Sequence, residues 1–562
     1  MRNAFLVGLL GCTHLCLAQT VLLPGYKFDV VATGLTRPVS VDFVGVDKML
    51  VLEKNSGKVK KYFSGSYVGD AIDLAVANVN ERGLLGICMD PNFNGTGNVY
   101  LYYSKATTDG GTWTDNRVEK FFYDGSNLTF VHTLITFPFD GGQNNGPNHN
   151  GGIITIGPDD KLYICVGDLD RGYVTNGRLE QNYSTTAIAG AGGIVRLNLD
   201  GTIPSDNPFF SHPDPRIRAY YCYGVRNPFG ITTDPITNKI WFTENGPTVY
   251  DEVNIAFSGM NSGWRKIMGP DFRNAAYFEN EDRSWDSADL VYLSGAAYAD
   301  PVFSWLTPIG VTGIEFLNSI QFAATERNDC VVSDINLTNV YIFDVNTART
   351  GFNLKPGTED GVADSVAERD QYLLGFNFGN VSNIKMGPDG FLYVVGHISN
   401  TVYRIRPEDV VYAPATMTKN SGVVLSGSTT SLRESDDQRL VVQHGVVTGN
   451  QSPTIELILS ATARITSTTN LKFSIESSGS HTGITQKIEL LNQQTQVYET
   501  VNTRLLGTSD STALVTVTTN PNRFINSATK QMTARLTYTK APGIIGGKWS
   551  AKLDELLWKV RE

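Results

Sequence analysis

The chain has 562 residues, of which 18% are charged and 10% aromatic, with 55 glycines and a formal net charge of −10. That length carries two or more domains and a large core, and the glycine and aromatic content suits a β-rich protein with many tight turns. The negative balance argues against nucleic acid or an anionic membrane as partner, since either needs a basic face, and leaves a small molecule or a neutral polymer.

The first stretch, MRNAFLVGLLGCTHLCLAQT, has one early arginine, an apolar run and small residues ending at Ala18. This is the pattern of an export signal over residues 1–18, cleaved before Gln19, so the mature protein is expected to be secreted or periplasmic. A lipoprotein signal with Cys12 as the modified residue is the alternative, disfavoured by Leu10 and by the short apolar run before the cysteine. No later segment is long and apolar enough to span a bilayer. Without the signal, the six cysteines reduce to Cys88, Cys165, Cys222 and Cys330, each inside an apolar strand-like run. Their spacing matches no metal or redox motif, so they read as buried thiols in separate strands.

From Val21 to Pro407 one pattern recurs: an apolar strand, a turn bearing proline, aspartate or glycine, then a strand with an aromatic near its middle. The six copies are VSVDFVGVDKMLVLEK, GLLGICMDPNFNGTGNVYLYYSK, GGIITIGPDDKLYICVGD, GITTDPITNKIWFTENG, GIEFLNSIQFAATERNDCVVSD with an inserted loop, and VSNIKMGPDGFLYVVGH. A period of roughly 50 to 90 residues is that of propeller blades with long connecting loops, and repeated short strands fit a closed ring better than a sandwich. The expectation for 21–407 is a six-bladed β-propeller, with an opening strand at 26–32 closing the ring against the last blade at 401–406.

Beyond this point the chain becomes rich in serine and threonine, which reads as a linker at 408–425. Residues 426–562 then show alternating runs such as TIELILSATAR, LKFSIESS and MTARLTYT. Strands with one buried face alternate in this way, so the C-terminal part is expected to be a β-sandwich. The protein is thus read as all-β.

Three stretches within the repeats carry chemistry. GPNHNGG, residues 146–152, is a polar glycine-rich loop with a single histidine, His149, just ahead of a strand hairpin. YGVRNPFG puts Arg226 and Asn227 in a loop before a strand; an arginine there can stabilise developing negative charge and an asparagine can fix a polar ligand. TENGPTVYDEVN puts Gly246 and Pro247 after a strand, followed by Asp251 and Glu252, so that backbone carbonyls and a carboxylate can surround a hard cation such as calcium. Each lies at the end of a central strand of consecutive repeats, and in a propeller such loops converge on the central channel.

Together with GLLGICMDPNF, GGIVRLNLDGTIPSDNPF and PVFSW, these stretches resemble the soluble glucose/sorbosone dehydrogenase family over residues 24–407. The resemblance implies a secreted six-bladed quinoprotein that uses pyrroloquinoline quinone (PQQ) and Ca2+ to oxidise an aldose or related sugar at its anomeric carbon to a lactone. The electrons then pass to an external acceptor. On the matching positions it implies His149 as the general base, helped by Arg226, while hydride passes to the quinone. Glu81, Asn148, Arg226, Asn227 and Trp305 line the cofactor and sugar site, and Gly246, Pro247 and Asp251 lie at the metal. The roles are chemically coherent, because a histidine titrates near neutral pH and calcium is a Lewis acid.

The chain departs from the family at three places. Asn148 stands before His149 where many members have an acidic residue that orients the ring, and Glu81 takes a position held by glutamine or glutamate. The family's lysine in the fifth blade and arginine before the last fall in SDINLTNV and FGNVSNIK, which hold neither at those points. Lys385 and Arg171 are the nearby candidates to replace them. Two other readings stay open: a non-catalytic extracellular propeller that binds a glycan or a protein, and a calcium-dependent lactone hydrolase with Glu81, Asp168, Asn227 and Asp251 around the metal.

Overall fold

The structure, a computed structural model, describes residues 19–138, 147–169, 178–184, 190–276, 285–445, 454–540 and 547–562. The expected export signal at 1–18 and Arg171 lie outside the described residues. The chain folds as two compact units, one holding residues up to 319 and 326–405, the other 320–325 and 406–562.

The first unit is a propeller of six antiparallel-based sheets. Their innermost strands are Pro38–Gly45, Leu84–Met89, Ile154–Ile156, Pro228–Thr233, Val311–Phe316 and Val381–Met386. Each packs on the next, and the sixth returns to the first. The six sequence repeats supply the inner two strands of each blade. The second strands, including Lys48–Glu53, Lys161–Val166, Ile240–Glu244 and Leu392–Gly396, are buried along almost their whole length. A blade covered on both faces by its neighbours has no solvent face, so these strands read as continuous apolar runs rather than as alternation. As expected, Tyr26–Ala32 lies beside Thr401–Pro407 in the last sheet, so the ring is closed by a strand from the opposite end of the unit.

The inner strands crowd the axis, and glycine marks the tightest points. A Cβ on Gly86 would lie 2.1 Å from the Gly152 carbonyl oxygen, and one on Gly230 would lie 2.2 Å from that of Thr312. Any side chain there would push adjacent blades apart. The four cysteines are free and buried, as their apolar surroundings predict. No helix among the described residues is long and apolar enough to cross a membrane.

The second unit is a sandwich. One sheet orders Val423–Ser426, Leu440–Gln443, Ser550–Arg561, Leu471–Gly479 and Ser511–Val517, with Asp409–Tyr412 also paired to Ser550–Arg561. The other orders Thr416–Ser421, Thr454–Thr462, Gln531–Lys540, Ile484–Asn492 and Val497–Leu506. Leu457, Phe473, Ile488, Leu536 and Trp558 meet in one core between them. Here the sequence reading is corrected: residues 408–425 are not a linker but carry three strands. Thr416–Ser421 and Val423–Ser426 are edge strands with mostly exposed side chains, so their serine and threonine reflect lack of burial rather than lack of structure. The loop inserted in the fifth repeat, 320–325, also belongs to this unit. Gln321 pairs with the backbone of Val411 through Nε2 to the carbonyl at 2.7 Å and Oε1 from the N–H at 2.9 Å.

Candidate functional site at the propeller axis

A cavity of about 520 Å3 lies where the inner strands begin. Val39, Leu85, Phe229, Thr312 and Ser382 reach it from five blades, and the loop of Asn148 and His149 brings in the sixth. Strands that converge on an axis present their first residues to a common space, so loops far apart in sequence share one wall.

His149 is held in a strained, hydrogen-bonded loop. Its φ is 53°, in the left-handed region that non-glycine residues seldom adopt. The neighbouring Asn150 is fully buried and pins this backbone, donating from Nδ2 to the Pro147 carbonyl at 2.7 Å and accepting from Asn116 Nδ2 at 3.0 Å. The Tyr102 hydroxyl donates to the Asn150 carbonyl at 2.8 Å. Gly167 lets the loop settle on the end of the next strand, since a Cβ there would lie 2.2 Å from the His149 carbonyl oxygen.

The imidazole meets Asp168, whose Oδ1 is 2.6 Å from Nδ1, with 13% of the His149 side chain exposed and none of Asp168. Burial alone would raise the Asp168 pKa. The His149 ring, Arg226 and the Trp264 indole N–H, 2.9 Å from Oδ2, outweigh it and hold the carboxyl below its ordinary value. An ionised carboxylate only accepts, so Nδ1 carries the proton and Nε2 is the basic nitrogen. The acidic residue that orients the ring is therefore Asp168, 19 residues on in the chain, not the residue preceding the histidine.

Arg226 and Asn227 brace the opposite wall. The Arg226 guanidinium donates from Nη1 to the carbonyls of Asn245 and Gly246, each at 2.9 Å, and stacks over Trp264 with its centre 5.4 Å from the ring. Its backbone N–H donates at 2.6 Å to Glu244, a fully buried carboxyl whose pKa is pushed well up by that burial and by Glu252 across the sheet. Asn227, 3% exposed, donates to Glu81 Oε2 at 3.2 Å and accepts from the Gly151 N–H at 3.3 Å.

Eight of the nine sequence-predicted positions line this cavity: Glu81, Asn148, His149, Arg226, Asn227, Gly246, Pro247 and Asp251. Trp305 does not. It is 1% exposed and packs against Phe303, Tyr341 and Phe343 in the core between blades, so it lines no ligand space. Asp251 lines the wall but is spent on the backbone: Oδ1 accepts from Gly246 N–H, and Oδ2 from the N–H groups of Ile309, Gly310 and Val311 at 2.6–3.2 Å. Four donors leave it as the clamp that shapes two loops rather than as a metal ligand.

Of the set a metal hydrolase would use, Glu81, Asn227 and Asp251 line the cavity and Asp168 does not, and the carboxylates are engaged with protein donors. Glu81 is tied to Asn227 and the Asn150 N–H, Asp168 to His149 and Trp264, and Asp251 to four amides. Lys385 sits three residues beyond Ser382 on the same inner strand, about 10 Å further along. There it faces Asp42 at 3.9 Å in a different cleft. Beside Arg226, Lys54 lines the cavity, its ammonium donating to Asn55 Oδ1 at 2.8 Å. Burial lowers its pKa to about 8, with Glu81 pulling the other way. His397 joins it on the cavity wall, with Nδ1 donating to the Pro38 carbonyl at 3.0 Å. Lys54 escapes sequence inspection because LEKNSGK reads as a strand ending in a solvated turn.

A closed ring of six sheets, with a polar cavity on its axis and a carboxylate-oriented histidine in that cavity's wall, defines the class: a six-bladed propeller whose ligand site is assembled at the channel mouth. A family model described as Glucose / Sorbosone dehydrogenase matches residues 35–404, and the chain belongs to that family. It is 26% identical over 372 residues to the aldose sugar dehydrogenase YliI of Escherichia coli, covering 65% of this chain and 89% of the relative. It is 29% identical over 238 residues to quinoprotein glucose dehydrogenase B of Acinetobacter calcoaceticus, covering 40% and 46% of the two chains. The apo crystal structure of the soluble aldose sugar dehydrogenase from Escherichia coli superposes with a TM-score of 0.51 at 23% identity, covering 68% of this chain and 99% of that one.

Proposed function

We propose that this protein is an exported, PQQ-linked sugar dehydrogenase that oxidises an aldose at its anomeric carbon to the lactone. The observation that carries the reading is the His149–Asp168 pair on the cavity wall beside Arg226. His149 Nε2 takes the proton of the anomeric hydroxyl as the C–H hydride leaves. Asp168 keeps Nδ1 protonated and stabilises the imidazolium formed. Arg226 presents fixed positive charge where negative charge develops.

When bound, the quinone supplies the hydride acceptor and a calcium ion supplies Lewis acidity. The residues present fit both groups. Calcium would be held by the Gly246 and Pro247 carbonyls, which requires Arg226 Nη1 to give up its bond to Gly246. For the cofactor's carboxylates the cavity offers Lys54, desolvated and hydrogen-bonded to a neutral amide, and the Asn336 side chain.

The test is reconstitution of the full chain with PQQ and calcium, followed by dye reduction over a panel of aldoses. Turnover that requires both additions supports the reading. Protein that binds quinone yet reduces no dye with any sugar would overturn it in favour of a binding propeller.

A further inference from the structure

The second unit holds a feature unrelated to the propeller cavity. Asp437, Asp510 and Asp554 bring carboxylate oxygens within 4.8 Å of one another, and among the described residues they are the one group of three or more His, Cys, Asp or Glu side chains so placed. We propose that these three aspartates form a calcium site of the C-terminal sandwich.

The three come from separate parts of one sheet. Asp437 precedes the strand Leu440–Gln443, Asp510 precedes Ser511–Val517, and Asp554 lies within Ser550–Arg561. The register explains how Asp554 reaches the other two. Glu476 pairs with Glu555 and Ser477 with Leu553, so Asp554 is the extra residue of a β-bulge and has no counterpart on the neighbouring strand. A bulge re-aims a side chain that regular pairing would direct elsewhere.

Hydrogen bonding among the three is incomplete in a way that points to a cation. Arg439 bonds Asp437 Oδ1 and, at 2.5 Å, Asp510 Oδ2, while the Asp437 N–H donates to Asp554 Oδ2 at 3.2 Å. The Asp436 N–H also lies against the Asp554 carboxyl, but Oδ1 of Asp510 and of Asp554 are buried without a hydrogen bond of good geometry. Asp554 as a whole is 2% exposed. Three carboxylates face one guanidinium, and Glu476 adds further negative charge near Asp554. A buried carboxylate oxygen without a donor is costly and is ordinarily relieved by a donor, a proton or a metal ion.

The chemistry of the donor set selects among cations. All ligands are hard oxygens, which suits calcium, magnesium or manganese over zinc or copper. Calcium accepts an irregular shell of mono- and bidentate carboxylates and water, whereas magnesium demands near-octahedral geometry. Asp437 is exposed, with 78% of its side chain accessible, so water can complete the shell. The ion would tie the entry to two strands onto the long C-terminal strand between them in the fold of the sheet.

The experiment is a calcium titration of the chelator-treated full chain against a competing indicator, with magnesium as a second arm. Wild type is compared with Asp554→Asn and with Asp437→Asn. Wild type should bind one more calcium equivalent than Asp554→Asn, and Asp437→Asn should weaken that equivalent by at least about tenfold, because each carboxylate carries charge to a site with few ligands. Any calcium at the propeller axis would be retained in both variants. Should Asp554→Asn fail to fold, Asp437→Asn alone carries the comparison, since an exposed residue can be changed without disturbing the core. Identical stoichiometry and affinity in wild type and variants, or tighter binding of magnesium than of calcium, would overturn the assignment.

Discussion

The propeller and the sandwich are both made of antiparallel strands, yet they bury their side chains differently. In the sandwich two faces meet, and Leu457, Phe473, Ile488, Leu536 and Trp558 close into one apolar cluster. In the propeller the apolar side chains divide into separate clusters, such as those around Leu101 and Tyr103, around Tyr220 and Leu197, and around Trp305 and Phe343. Two sheets can close a core by facing each other. Six sheets around an axis cannot, because side chains between blades never reach the centre, and the ends of the inner strands meet there with polar groups and space. The difference teaches where to look for chemistry: at the point the topology fails to fill. His149, Arg226 and Lys54 stand at that point, and Trp305, only a few residues along the chain from the cavity's Pro308, does not.

The sharpest way to test this contrast is to empty the axis and the core separately. His149→Ala should lower turnover of the reconstituted enzyme by about two to four orders of magnitude, the usual contribution of a positioned base. It should cost about 1–2 kcal/mol of stability, because Asp168 loses one partner. Trp305→Ala should do the reverse. A fully buried tryptophan removed from a packed cluster should destabilise by about 3–5 kcal/mol, leaving activity per folded molecule near wild type. Denaturant unfolding and active-site-normalised rates separate the two. If Trp305→Ala instead abolishes sugar turnover in folded protein, the aromatic belongs to the site and the boundary drawn here is wrong.

Asp168→Asn probes the link between the two environments, since this side chain is buried like core but serves the cavity. It should lower turnover by roughly ten- to a thousandfold by releasing the proton that Asp168 keeps on Nδ1. Its folded pKa lies below the ordinary aspartate value of 3.8, so the stability it confers is present above about pH 4 and lost as pH falls through the lowered pKa. Acid unfolding of wild type and variant should converge at low pH. A constant gap down to the lowest pH would show that the carboxylate charge contributes nothing.

The smallest effect is expected at Lys54. Burial lowers its pKa from 10.5 to about 8, so between those values the unfolded chain binds the extra proton and stability rises with pH. Lys54→Met should remove that rise and stabilise the apoprotein at neutral pH by about 1–2 kcal/mol, discounted for partial solvation. It should also weaken PQQ binding, followed by quinone absorbance, by about tenfold, through loss of a charge-assisted contact. Unchanged affinity would remove Lys54 from the cofactor site.

The propeller is legible along the chain because each blade repeats a strand, a turn and a doubly buried strand, and burial on both faces forces the continuous apolar runs LYICV and LYVVG. His149, Arg226-Asn227 and Gly246-Pro247 are legible for a related reason: glycine and proline beside a lone polar residue at a strand end mark a backbone shaped for a ligand. Residues 408–425 mislead because edge strands with exposed faces have the composition of a linker. Which groups are consumed by one another is settled in three dimensions only. Asp168 finds His149 because Gly167 lets two backbones touch, Asp251 is exhausted by amides from a loop 58 to 60 residues away, and Trp305 turns inward on a strand whose register no local pattern records. Local sequence dictates where a strand begins and which residues it can bury. The closing of six strands on one axis decides which polar ends face each other, because that distance is set by the ring and not by the chain.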